Sequence, residues 1–215
     1  MVTSEQLECL HQIAEYYDYG WGQPHGLIHA EQVTRLALKM FDELLHLGLP
    51  HGQVSSDVEL IKAVGYLHDI GRSRKILWEE DHNRLGFDIL REVVPQRIVS
   101  QPLTSDELSI LLYCVLFHRG HDFSERKEMP LLQPQHTKQL AAILRIADAL
   151  DHGPPFGLVE NLTLTRRGDS ILCRVFCPKD MMWHVGSYPS GANRKADLFR
   201  QTYPDVKISF KVTGR

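Results

Sequence analysis

The stretch Ala63-Val-Gly-Tyr-Leu-His-Asp-Ile-Gly-Arg72 is the part of the sequence from which the fold and the function are best predicted. Its apolar residues keep a helical period and end in the adjacent pair His68-Asp69, just before Gly71. An imidazole beside a carboxylate offers one metal ion two different kinds of ligand. Two ligands do not close a metal site, so this pair predicts further ligands elsewhere in the chain.

Four other predicted helices also carry a polar residue in phase with an apolar face and near a helix end. His29, for example, lies four residues before Val33, at the buried edge of its helix. A hydrogen-bonded core residue explains each histidine better when it is taken singly. For the whole set we favour a shared divalent cation, because every unpaired buried polar group costs a few kcal/mol. The candidate ligands are His29, His68, Asp69, His82, His118 and Asp148.

Helical periodicity extends over roughly the first 150 residues. Thr3 and Thr104 each precede a Gln or Glu by three residues, which predicts capping boxes at the starts of the first and fifth helices. Pro95 is expected to stop the fourth helix. The other helices are predicted over about 27–47, from near Ser56-Asp57, from about 81 to 94, and over about 137–150.

The pattern changes after the linker Gly153-Pro-Pro-Phe-Gly157, where alternation replaces the helical period. A hairpin is predicted around the turn at 167–169, followed by a short helix within 189–202 and a final strand over 206–212. Cys173 and Cys177 should share one strand face as buried, reduced thiols, with a disulfide or a metal pair as alternatives. The expected organisation is a mainly α protein: a helical domain over 1–152 and a small α+β tail over 158–215.

The bulk properties exclude several function classes. With a net charge of −3, the chain has no bulk attraction to nucleic acid, and the few basic residues of the tail do not form a basic patch. No apolar run approaches the roughly 20 residues that span a bilayer. The first residues lack the features of a signal peptide, so we expect a cytoplasmic protein. An edge strand of the tail could pair with another subunit, which leaves a homo-oligomer open.

The order of a lone histidine, a His-Asp doublet and a distant aspartate resembles the HD-domain metal-dependent phosphohydrolases. In this chain these residues are His29, His68-Asp69 and Asp148, and the resemblance covers about residues 25–152. It implies an HD-type helical bundle with a metal site inside it.

The surrounding sequence, together with the β-rich tail, is similar to the C-terminal HD region of the exopolyphosphatase/guanosine pentaphosphatase family. The similar segments are Leu67-His-Asp-Ile-Gly71, Phe117-His-Arg119 and Ile143-Leu-Arg-Ile-Ala-Asp-Ala-Leu-Asp151. That family's phosphatase chemistry is attributed to an N-terminal actin-like domain, which is absent from these 215 residues. The resemblance therefore does not carry the polyphosphatase activity over.

The resemblance implies that His29, His68, Asp69 and Asp148 hold one ion, with Mn, Fe, Co, Ni or Zn preferred over Mg. In two-metal members the doublet aspartate bridges to a second ion. His82 and His118 match its further ligands, with His121 as a third candidate. Alternatively, one ion is bound, and His82 and His118 hydrogen-bond phosphate oxygens or move a proton. Asp69, His82 and His118 are thus the expected catalytic residues.

Three cations adjoin these ligands and are expected to bind a phosphate group: Arg72, Lys75 and Arg119. Solvated loop cations explain Arg72 and Lys75 equally well. Arg145 could instead pair with Asp148 or Asp151, and Asp151 could also orient a ligand from behind. The segment Trp183-His184 is expected to pack ordinarily, with a lid over the site as the alternative.

The resemblance implies hydrolysis of a small phosphorylated substrate, a nucleotide-like phosphoester or phosphoanhydride, by metal-activated water. The alternative is a metal- or nucleotide-binding regulatory module without chemistry of its own. The substrate, the number of ions and their identity do not follow from the sequence.

Overall fold

The computed structural model describes residues 2–20, 25–49, 54–73, 81–119 and 133–215. In the first four of these ranges and the start of the fifth lie helices α1 (Ser4–Tyr16), α2 (His25–His46), α3 (Val54–Leu67), α4 (His82–Arg97), α5 (Ser105–Phe117) and α6 (Pro134–Ala149). The rest of the last range forms β1 (Asn161–Arg167), β2 (Ser170–Cys177), α7 (Met182–Val185), α8 (Tyr188–Lys195), α9 (Asp197–Thr202) and β3 (Lys207–Gly214).

Both predicted capping boxes are confirmed. The Thr3 and Thr104 side chains each accept a hydrogen bond from the backbone N–H three residues later, at 3.2 Å. In return, Gln6 and Glu107 accept from the backbone N–H of the capping threonine. Two otherwise unpaired N–H groups are satisfied at each helix start, which fixes where α1 and α5 begin.

Three predicted helix boundaries were wrong. Pro95 does not stop α4, which continues to Arg97, because a proline in the last turn removes only one N–H and the chain can still close that turn. α3 starts at Val54, and Asp57 is not its cap: it is buried and lies 2.6 Å from the His136 ring. α6 begins at Pro134, because a proline in the first helical turn needs no N–H partner.

α6 lies at the centre of the bundle. It packs against α2, α3 and α5, and also against α8 and α9 of the tail. Its residues from Leu140 to Ala149 are all buried, charged ones included. The helix therefore carries Asp148 and Arg145 into the interior. There the arginine needs a carboxylate, and the aspartate needs a cationic side chain or a metal.

The tail forms a three-stranded sheet in the order β1-β2-β3, with β1 antiparallel and β3 parallel to β2. The predicted hairpin turn at Gly168 is confirmed. The predicted helix over 189–202 is divided at Ala196 into α8 and α9, which with α7 form the crossover between β2 and β3. Cys173 and Cys177 are buried on one face and free, as expected.

The fold class is confirmed: a mainly helical bundle carries a small α+β appendage. The buried apolar side chains of the bundle and of the sheet form one continuous core. The division into two domains at residues 152 and 158 stays a prediction. Among the helices of the described ranges, none is long and apolar enough to cross a membrane.

Two glycines allow the close backbone contacts around the His68-Asp69 pair. A Cβ on Gly71 would lie 1.9 Å from the carbonyl oxygen of His82, at the start of α4. A Cβ on Gly20, whose φ is +84°, would lie 1.9 Å from the carbonyl oxygen of Asp69. Only a residue without a side chain fits at either place, so these contacts fix the loop that carries the doublet.

Replacing Gly71 by alanine should therefore push the start of α4 away from the doublet. We expect Gly71→Ala to lower the free energy of unfolding by about 1–3 kcal/mol, as for other overpacked sites, and to weaken metal binding. Urea denaturation and Mn²⁺ titration measure the two effects. Gly191→Ala is the control, because its Cβ would make an ordinary 3.7 Å contact. Equal behaviour of the two variants would contradict this account of Gly71.

Candidate metal centre

The first group of candidate ligands comes from three helices that meet at one point. His29 lies in the second turn of α2, His68 directly follows α3, and Asp148 lies in the last turn of α6. One ligand atom from each can be chosen so that all lie within 4.8 Å of one another. The Nε2 atoms of His29 and His68 are 3.2 Å apart, and the Oδ1 atom of Asp148 lies 3.5 Å from the His29 Nε2. All three residues are buried.

The hydrogen bonds behind the two rings fix which nitrogen faces the centre. His68 Nδ1 lies 2.8 Å from the carbonyl oxygen of Gly65, and His29 Nδ1 lies 2.9 Å from Asp151 Oδ2. A carbonyl or carboxylate oxygen accepts, so both Nδ1 atoms carry a hydrogen. Two Nε2 lone pairs then face each other, which requires a cation, a proton or a metal, between them. The expected role of Asp151 in orienting a ligand agrees with this geometry.

The second group consists of Asp69, His82 and His118. Asp69 Oδ1 lies 2.9 Å from His82 Nε2 and 3.4 Å from His118 Nε2. Its other oxygen, Oδ2, lies 3.8 Å from His29 Nε2 and 3.7 Å from His68 Nε2. One carboxylate thus faces both groups, which is the arrangement that a bridging ligand needs.

The His82 ring differs from the others in what its Nδ1 contacts. Arg119 Nη1 lies 3.3 Å from this atom, and Arg72 Nε lies 3.2 Å from Nε2, so a guanidinium donor faces each nitrogen of the His82 ring. In His118, by contrast, Nδ1 lies 2.6 Å from the carbonyl oxygen of Val115 and therefore carries the hydrogen. An ion at His82 Nε2 would take the place of Arg72 there and would leave the ring hydrogen on Nδ1, toward the Arg119 cation. The first group therefore fits a metal better than the second.

The donor atoms of both groups match a metal in spacing. Ligand atoms that bind one ion at about 2.0–2.2 Å lie about 3–3.5 Å from each other. Imidazole nitrogens with carboxylate oxygens suit Mn, Fe, Co, Ni or Zn. The described residues could therefore hold a divalent ion; its identity does not follow from the geometry.

The family comparison agrees with this geometry. The model of the HD domain matches residues 26–153, more than half of the chain, and the match includes all six candidate ligands. The chain belongs to the HD domain family. HD domain proteins are generally metal-dependent phosphohydrolases. A search of the curated proteins found no match to the chain.

Burial and charge set the protonation of the imidazoles in this HD domain. Burial alone would lower the pKa of His29, but its hydrogen bonds to Asp148 and Asp151 outweigh that effect and raise the pKa to about 10. Burial lowers the pKa of His68 and brings that of His82 to about 4. Without metal, one proton is thus held at His29, facing the neutral ring of His68.

The two candidate carboxylates of the HD domain stay ionised although they are buried. Burial by itself would raise the pKa of Asp69, but the neighbouring His68, His118 and His82 hold it well below its usual range. Burial likewise opposes the ionisation of Asp148, where Lys195 has the largest opposite effect and lowers the pKa. Both groups can therefore supply an anionic oxygen to a metal at neutral pH.

The two groups open into a cavity of about 220 Å³. The described residues that line it include three cations: Arg72, Arg119 and Lys195. Arg72 and Arg119 were expected there from the sequence, while Lys75 and His121 lie outside the described residues. Arg72 Nε is 3.3 Å from Asp69 Oδ1, and Lys195 Nζ contacts Asp148 Oδ2 directly.

Sequence reasoning missed Lys195, because it lies 44 residues beyond the last motif residue and only the packing of α8 on α6 brings it to the site. The expectation for Arg145 was wrong. It pairs with Asp197 of α9 at 2.8 Å, because the tail approaches α6 on the side of Arg145. Trp183 is exposed, and the described cavity lining includes neither it nor His184, so the structure supports neither a lid over the site nor ordinary packing of the Trp183 side chain.

Metal binding to the first group should release one proton. The His29 pKa of about 10 lies above neutral pH, so an ion that binds Nε2 must displace this proton. Between about pH 6 and pH 8, the affinity for Mn²⁺ should therefore rise about tenfold per pH unit. Calorimetric titration in buffers of different ionisation enthalpy counts the protons released. His46→Ala, on the same helix but exposed, should leave the slope unchanged. An affinity independent of pH would contradict the assignment of His29.

Proposed function

We propose that this protein is a metal-dependent phosphohydrolase that cleaves a small, nucleotide-like phosphoester or phosphoanhydride. The observation that carries the proposal is that Asp69 faces both groups of ligands at the bottom of a cavity that also contains cations. A metal site alone would not need arginine and lysine around it. Cations beside metal ligands suit a site that binds a phosphate.

A bound divalent ion supplies a nucleophile from water at neutral pH and polarises a phosphoryl oxygen. The protein's own residues fix the geometry for that chemistry. Asp151 holds the ring of His29, the Gly65 carbonyl holds that of His68, and the Val115 carbonyl holds that of His118. Because each ring is fixed from behind, its Nε2 atom points to one place.

Charge in the cavity favours a substrate with more than one negative charge. Among the described lining residues, three carboxylates and three cations balance one another: Asp69, Asp148 and Asp151 against Arg72, Arg119 and Lys195. Each divalent ion then leaves the cavity with a net positive charge. A terminal phosphate, as in a phosphomonoester or the end of a phosphoanhydride, matches that charge better than a singly charged internal diester does.

His82 and His118 are our candidates for proton transfer if the second group holds no metal. The two Nε2 atoms are 3.1 Å apart, and His82 Nε2 lies 2.9 Å from Asp69 Oδ1. Arg72 and Arg119 each contact one ring nitrogen of His82. Burial lowers the pKa of His118 and brings that of His82 to about 4, so both rings are neutral at neutral pH, and the pair can accept a proton and pass it on.

The size of the cavity limits what it encloses. At about 220 Å³ it is smaller than the roughly 300–1,000 Å³ of ordinary ligand pockets. We infer that it takes the phosphate group, with the rest of the substrate outside. Guanosine polyphosphates, which carry terminal phosphates, are among the substrates to test first.

One observation favours the alternative, a regulatory HD module without chemistry. Arg72 contacts Asp69 and Lys195 contacts Asp148, so the buried carboxylates already have cationic partners in the absence of a metal. A purely structural charge network would have these same contacts. The two functions differ in metal content and turnover, which the following experiments measure.

Loss of a ligand from the first group should reduce the metal content of the protein more than loss of a ligand from the second group. We expect His68→Ala to lower the affinity for the most tightly bound Mn²⁺ ion at least about 100-fold. The variant loses a direct metal ligand, and loss of a residue that only hydrogen-bonds to a ligand already costs about 10–100-fold in affinity. His82→Ala should leave that ion in place and remove only a weaker one. Elemental analysis and Mn²⁺ titration give the ions per chain. His46→Ala is the control.

The variant Arg119→Met distinguishes a site with one bound ion from a site with two. If the second group binds an ion, removing the guanidinium beside His82 Nδ1 should tighten that ion. An unchanged titration with one ion per chain would support proton transfer by His82 and His118 instead. Equal loss of metal in the His68 and His82 variants would contradict the ranking of the two groups.

Activity is tested with the Mn²⁺- or Co²⁺-loaded protein against nucleotides, including guanosine polyphosphates and cyclic dinucleotides. We expect turnover of at least one, and a fall in kcat of at least about 100–1,000-fold in Asp69→Asn, because the charge that holds both groups is gone. Asp169→Asn, at an exposed turn, is the matched control. A protein that holds metal but turns over no member of the panel would favour the regulatory module.

A further inference from the structure

Lys195 is the one described cavity cation that the appendage supplies. It is the last residue of α8, and its side chain reaches from the tail into the cavity lined by the bundle residues. Its Nζ atom contacts Asp148 Oδ2, and about a quarter of its side chain is exposed. The ammonium group is therefore at the cavity surface, where a molecule that enters can reach it.

A second ion pair holds α8 and α9 in place beside α6. Arg145, three residues before Asp148, lies 2.8 Å from Asp197, two residues after Lys195. The Arg145 side chain is buried, whereas 46% of the Asp197 side chain is exposed, so the pair is only partly shielded from water and salt. Two ion pairs thus join α6 to its neighbours, one to Lys195 of α8 and one to Asp197 of α9, and together they hold Lys195 beside the site.

A bound metal would change the electrostatic environment of Lys195. Asp148 Oδ1 faces His29 Nε2, so an ion at the first group would use the same carboxylate that Lys195 now contacts. An ion of charge +2 repels an ammonium group and takes over much of the carboxylate's charge. The flexible lysine stem lets Nζ move within the cavity while α8 stays anchored.

We propose that Lys195 is a phosphate-binding residue: once a metal is bound, its ammonium group leaves Asp148 and contacts an oxygen of the substrate phosphate. This inference rests on the proposed function and adds a residue of the appendage to its site. Lysine serves this role as a compact point charge with three donors. Arg72 and Arg119 contact the same cavity from the bundle, so the phosphate would be held from both parts of the chain.

The test removes the charge of Lys195 and of its neighbour in parallel. Lys195→Met takes the cation out of the cavity, whereas Arg194→Met removes an exposed cation of the same helix whose guanidinium donates a hydrogen bond to Ser190. Inorganic phosphate is titrated into each Mn²⁺-loaded protein by calorimetry. Mn²⁺ affinity and thermal unfolding are measured on the same samples.

We expect Lys195→Met to weaken phosphate binding about 10–100-fold, the value of a hydrogen bond to a charged group. Mn²⁺ should bind as tightly as before or tighter, because Lys195 no longer competes for Asp148. Lys195→Arg should recover part of the phosphate affinity, since it restores the charge. Arg194→Met should match the wild-type protein in every measurement.

The proposal is overturned if Lys195→Met binds phosphate as the wild-type protein does, or if it loses Mn²⁺ and phosphate together, as a structural ion pair would. A wild-type protein that binds no metal, or no phosphate when loaded, also overturns it. Its failure is distinguishable from that of the proposed function. If the wild-type protein turns over a substrate and Lys195→Met binds phosphate as well as the wild type, only this inference is contradicted. If phosphate binding depends on Lys195 but no substrate is turned over, only the proposed hydrolase activity is contradicted.

Discussion

The position of one buried carboxylate, that of Asp69, is the constraint on which the rest of the structure depends. Its two oxygens face four imidazoles that come from α2, α4 and the ends of α3 and α5, so these elements must meet within 3.8 Å of one side chain. The close contacts of Gly20 and Gly71 hold its loop there. A helical bundle that failed to bring these ends together would leave several polar groups buried without partners, at a cost of a few kcal/mol each.

The bundle therefore uses its most polar residues at its centre. Acceptors behind the rings fix His29, His68 and His118, and cations lie beside the carboxylates of Asp69 and Asp148. This arrangement is satisfied by protons and side-chain cations when no metal is bound, and by a metal when one is. Under the proposed function, the exchange between the two connects pH, metal affinity and phosphate binding. It also explains why His29, between Asp148 and Asp151, differs from the other rings in its affinity for a proton.

The appendage is part of the site as well as of the core. α8 and α9 pack on α6, the Arg145–Asp197 pair anchors them, and Lys195 enters the cavity. Its sheet adds a second attachment, where the Leu164 N–H donates to Glu43 of α2 at 2.8 Å. The helix that carries Asp148 is thus packed from both sides, by the bundle and by the tail.

The sequence alone determined the helical bundle, the α+β tail, both capping boxes and the six candidate ligands, because periodicity, caps and the polar ends of apolar faces are local patterns. It did not determine that Pro95 stays within α4, because the packing of the last helical turn decides whether a proline there ends the helix. Nor did it identify the partner of Arg145, the two arginines that contact the His82 ring or the place of Lys195. Those depend on which side of α6 the tail covers and on which acceptor stands behind each ring. The pair His68-Asp69 could be read from the sequence, but only the tertiary structure brought a lysine of the tail to the same cavity, because contacts between residues far apart in sequence follow from packing and not from spacing.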